Sequence, residues 1–89
     1  MNKFYQIVTK QEVDGYWLYF FVENSEIYKT YEEAYQKALS LANEHTNELF
    51  NGHLEIKQYT EDNKQIIGIF NPRIDEIERE YHIKELTVI

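Results

Sequence analysis

The chain has 89 residues, no cysteine and a net charge of −7, from sixteen acidic against nine basic residues. That length suits one domain, 1–89, with a thin core, and the missing cysteine excludes disulfides and thiolate metal sites. The negative balance argues against direct nucleic-acid binding and against anionic membranes, because both draw their affinity from Lys and Arg.

The opening MNKFYQIVTK has no apolar run of signal-peptide type, and no stretch reaches the ~18–20 apolar residues of a membrane span. A cytoplasmic location is the expectation. Seven Lys against two Arg, with abundant Asn, Ile and Tyr, points to AT-rich coding and so to a low-GC bacterium or its phage.

In chain order, Lys3–Lys10 reads as a first strand, rich in aromatic and β-branched residues. Gln11–Gly15 follows, and its Asp14-Gly15 suits the positive φ of a tight hairpin turn. Tyr16–Glu23 (YWLYFFVE) is the second strand. Asn24-Ser25-Glu26 then makes a turn.

Thr30-Tyr31-Glu32-Glu33 is a capping box at the start of an amphipathic helix over about 31–47. At ~100° per residue, Tyr31, Ala34, Tyr35, Ala38, Leu39, Leu41 and Ala42 share one arc, which His45 and Leu49 continue. The opposite face is polar and includes Glu32, Glu33, Lys37, Ser40 and Glu44, with Glu33 and Lys37 in the favourable i,i+4 order. The stacked alanines should let the helix approach a sheet closely. Asn51-Gly52 supplies a stop.

His53–Thr60 and Gln65–Phe70 read as a second hairpin across the polar link Glu61–Lys64. Asn71-Pro72 breaks the strand. Ile74, Ile77 and Tyr81 have helical spacing, so a short helix near Arg73–Glu80 is expected before a last strand, His82–Ile89. The fold class is therefore α+β: an antiparallel sheet of about 4–5 strands with one main helix on one face. The order is β-β-α-β-β-(α)-β.

No chemistry-bearing motif stands out. Ser25 and Ser40 sit in a turn and on a polar helix face, without an adjacent base. His45, His53 and His82 lack metal-ligand spacing, and in Glu44–Glu48 only His45 and Glu48, three apart, share a helix face, short of the three ligands of a catalytic zinc. Gly15, Gly52 and Gly68 are too scattered for a phosphate loop. The reading is a non-enzyme with no catalytic residue, metal or cofactor.

Two features point to recognition. Tyr16–Val22 is apolar on both faces, and a single helix should cover only the face bearing Tyr16, Leu18, Phe20 and Val22. Trp17, Tyr19 and Phe21 are then interface candidates, to be covered by the C-terminal segment through Ile77 and Tyr81, by a second copy, or by a partner. The second feature is acidity at Glu32, Glu33, Glu44, Asp75, Glu76, Glu78 and Glu80, which would form a patch if these residues adjoin. The expected role is a small acidic protein-binding module, an inhibitor occupying a basic nucleic-acid-binding surface of a host protein. Phage anti-CRISPR and other anti-defence proteins offer an analogy of size and charge only. The alternative is a structural or regulatory homodimer using the aromatic sheet face, and an enzyme subunit or small-molecule binder comes third.

Overall fold

In a computed structural model, residues 2–21, 26–48 and 54–88 are described, with the side chains of all but Val13, Phe21, Asn47 and Glu48. The elements are β1 (Asn2–Val13), β2 (Tyr16–Phe21), β3 (Ile27–Tyr28), α1 (Tyr31–Glu48), β4 (Glu55–Glu61), β5 (Lys64–Asn71) and β6 (Glu76–Val88). The strands form one antiparallel sheet in the order β2-β1-β6-β5-β4. The short β3 pairs with β1 at Tyr5 and Gln6, on the edge that β2 occupies farther along. The chain is α+β, with one helix packed against one face.

Local turn chemistry explains the hairpins. Asp14 and Gly15 have φ of 51° and 84°, and Asp62 and Asn63 have 52° and 63°. Paired positive φ angles give a turn whose twist matches that of the strands it joins. Both turns are tighter than the sequence suggests. Gln11–Val13 belongs to β1, opposite Tyr16–Leu18, and the expected link Glu61–Lys64 contributes its two end residues to β4 and β5.

The helix starts where its cap predicts. The Glu33 N–H donates to Thr30 Oγ1 at 3.2 Å, and the Ala34 N–H donates to the Thr30 carbonyl at 3.3 Å. Thr30 thus satisfies donors that the first turn cannot pair internally. On the outer face, Glu32 accepts a bond from Gln36 at 2.9 Å, and the expected Glu33–Lys37 pair does not form. The Asn51-Gly52 stop, Leu49 and His53 lie outside the described residues, as do Val22–Ser25.

Ala34, Ala38 and Ala42 are each fully buried, so the helix backbone lies close to the sheet. The core beneath contains Ile7, Leu54, Ile67, Ile69 and Tyr81. At its margin Tyr31 and Tyr35 stack at 6.0 Å, and Tyr5 meets Tyr31 edge-on at 5.8 Å. Their hydroxyls donate to Gln65 and Gln58, at 3.0 and 2.6 Å. Tyrosine suits this margin because the ring packs while the hydroxyl finds a polar partner.

The main correction concerns Arg73–Glu80. Residues 72–75 form a turn, and Glu76 begins a strand that runs to Val88. Asn71 organises the reversal: its Oδ1 accepts the Arg73 N–H at 3.0 Å, and its carbonyl accepts the Ile74 N–H at 3.3 Å. Pro72 supplies a turn-compatible φ, and Asp75, at 53°, completes the reversal. A helix this short would gain few internal bonds. As a strand, β6 pairs on one side with β1 and on the other with β5.

A register shift between β5 and β6 leaves Glu78 without an opposite residue, and Asn71 Nδ2 donates to its carboxylate at 2.8 Å. The bulge changes side-chain parity. Tyr81 therefore lies in the core under the helix, whereas Ile77 stands beside Gly68 on the face away from it. The C-terminal segment is a central strand, not a cover for the second face.

Candidate functional site

The edge strand β2 is the most exposed apolar feature. Tyr16 is 72% exposed, Trp17 42%, Leu18 45%, Tyr19 60% and Phe20 39%. Register places Tyr19 opposite Lys10 and Trp17 opposite Glu12, on the open face. The Phe21 backbone pairs with Val8, and its side chain is outside the described residues. Tyr16, Leu18 and Phe20 point to the helix side, but α1 packs mainly on β1, β3, β4, β5 and β6. The expectation that the helix covers this side of β2 is thus corrected: among the described residues, both sides of the strand are left open. The cause is reach. β2 pairs with the far half of β1, from Val8 to Val13, while β3 takes the half nearer the helix start.

Lys10 partly shields the aromatic row, with Nζ 5.8 Å from the Trp17 ring centre and 5.4 Å from that of Tyr19. Tyr19 also meets the His82 ring edge-on at 5.5 Å. Beside it is a groove of about 430 Å³ whose lining includes Val8, Tyr19, His82, Lys64 and Lys84.

His82 belongs to a polar brace on this face. Its Nε2 lies 3.0 Å from Glu80 Oε1, and Glu80 Oε2 accepts the Tyr59 hydroxyl. Gly68 makes that reach possible, because Tyr59 lies across the place where a side chain would stand. The Glu80 and His82 side chains are only 13% and 16% exposed, so the brace is shielded from solvent despite its open face. It ties β4 to β6 across β5, a structural use of the carboxylate.

Burial, followed by the hydrogen bond and charge of Glu80 and then the charge of Glu61, holds the Tyr59 hydroxyl far above its ordinary pKa of 10.0. Above about pH 10 the unfolded chain ionises this tyrosine while the folded chain keeps its proton, so stability falls as pH rises. Denaturant melts from pH 8 to pH 11 should show Tyr59→Phe losing stability less steeply than the parent above about pH 10. Equal slopes would refute this assignment.

The acidic candidates do not form one dense patch. Glu32, Glu33 and Glu44 are exposed on α1, but eleven or twelve residues of helix put Glu44 about 17 Å along the axis from the other two. Asp75 is in the turn, Glu76 and Glu78 are exposed at the start of β6, and Glu78 is bonded to Asn71. Glu80 is on the opposite face of the sheet, held by Tyr59 and His82.

Register also assembles groups that composition hides. Lys10, Lys57, Lys64 and Lys84 all stand on the open face, beside Glu12, Glu55, Glu61 and Glu80, so charge on that side is near balance. Lys57 lies 3.9 Å over the Phe70 ring. Strand parity could have grouped these lysines within each strand, but only the pairing brings the strands together. On the helix side, Arg79 donates to His45 Nδ1 at 3.3 Å. Among the described residues no group of three or more His, Asp or Glu side chains could hold a metal ion, and no helix is long and apolar enough to cross a membrane.

No family model matches the chain, and comparisons with curated proteins and with solved structures give no significant match.

Proposed function

We propose that this chain is a non-enzymatic protein-binding module whose docking surface is the β1–β2 hairpin. The observation that carries the reading is an edge strand, YWLYFF, without a charged residue and with large apolar side chains open on both faces. An edge strand presents unpaired backbone donors and acceptors, and soluble proteins normally blunt such edges with charge, proline or cover. The opposite edge follows that rule: β4 carries Glu55, Lys57 and Glu61. Aromatic side chains at an open edge offer a partner strand both main-chain pairing and side-chain anchors.

The spread of the acidic groups favours this reading over mimicry of a nucleic acid, which calls for a dense row of negative charge. A photo-reactive phenylalanine analogue placed at Tyr19 should crosslink a protein in the native cell, and the same analogue at Glu44 should not. The complex should persist in high salt, since apolar contacts are not screened. Adducts at Glu44 alone, lost as salt rises, would favour the acidic surface and overturn the hairpin as the docking site.

A further inference from the structure

We infer that the occupant of β2 is a second copy of this chain, joined edge to edge so that the two sheets become one continuous antiparallel sheet. The inference rests on the docking reading above and adds the identity of the partner.

Charge is the first argument. Two chains of net charge −7 repel, so self-association is least opposed where the meeting surface carries no charge. β2 carries none, whereas α1 and β4 both present exposed carboxylates. The acidic outer face of α1 lies over the other strands, so this pairing keeps the two helices to either side of the joint. With a screening length of ~8 Å, their mutual repulsion is then weak.

Area is the second argument. At ~200 Å² for a fully open large side chain, Tyr16–Phe20 leave on the order of 500 Å² uncovered. A stable interface covers ~800 Å² per partner, and the open β2 side chains amount to roughly 60% of that.

Symmetry limits the register, and we place its centre at Leu18. A two-fold axis normal to the sheet keeps faces on their own sides, so opposed residues share parity. Centred on Leu18, the axis sets Trp17 against the partner's Tyr19 on the open face. It also sets Tyr16 against the partner's Phe20 on the helix side. Tyr16, Trp17, Tyr19 and Phe20 each therefore meet an aromatic of the other copy, and Leu18 meets itself.

Sedimentation velocity across the micromolar range should give twice the 10.8 kDa chain mass for the parent, and the single mass for Leu18→Lys with an unchanged circular dichroism spectrum. The lack of cysteine permits a second test that survives a poorly folded lysine variant. Leu18→Cys should oxidise readily to a disulfide-linked dimer, because opposed Cα atoms in such a pair stand ~4.5–5.5 Å apart. Lys57→Cys, on the far edge, should not. A parent of single mass throughout the range, or crosslinking at Lys57→Cys in place of Leu18→Cys, would overturn the self-pairing. If the parent is a monomer and the analogue at Tyr19 still captures a different protein, self-pairing fails and the docking reading stands. If that analogue captures nothing, both fail.

Discussion

Ala38→Leu should lower the melting temperature by on the order of 10–20 °C. Overpacking a closed layer costs ~1–3 kcal/mol, and 1 kcal/mol moves a domain of this size by about 4–8 °C. Ala38 has no exposed surface and packs in one cluster with Ile7, Ile67, Ile69 and Tyr81. Three added carbons must lift the helix from the sheet or push a neighbour out of its rotamer. Ser40→Leu, on the exposed side of the same helix, should shift the transition little. Calorimetry of the two variants distinguishes the effect of the site from that of the residue type. Equal transitions would show that the helix does not sit close to the sheet at Ala38.

Gly68→Ala should also destabilise, against the usual trend. Alanine in place of a strand glycine ordinarily gains ~0.5–1 kcal/mol by restricting the unfolded chain. Here an added Cβ would lie 2.8 Å from Tyr59 Cε1 and 3.3 Å from Ile77 Cδ1. The ring must move, and the Tyr59 hydroxyl then leaves Glu80, so the expected net loss is about 1–2 kcal/mol. Gly68→Val should lose more. A double-mutant cycle gives the decisive result: with Tyr59→Ala already present, Gly68→Ala should be neutral or stabilising. A cost that is the same in both backgrounds would show that Tyr59 is not what excludes a side chain there.

These two sites differ in how far the sequence exposes them. The alanine column follows from a 3.6-residue period and is visible before any fold is known. The Gly68 crossing is invisible, since Tyr59, Gly68 and Glu80 meet only through the β4–β5 and β5–β6 registers.

What the sequence determined by itself is the set of features with local causes. The helix follows from its periodicity and the Thr30 cap, and the first hairpin from Asp14-Gly15, whose backbone demand few other pairs meet. The two-faced apolarity of YWLYFF is equally legible, as is the need for something to cover it. Tertiary structure decided the rest. Arg73–Glu80 has helical spacing, yet pairing with two neighbouring strands outweighs a short helix. The acidic residues fall in two runs along the chain that would form a patch if they adjoined, and the sheet puts Glu80 on the other side from α1. The reach of the helix is also non-local, and it leaves Tyr16, Leu18 and Phe20 open along with Trp17 and Tyr19. Long-range pairing made these decisions, because strand register assigns every side chain to a face and no local rule sets it.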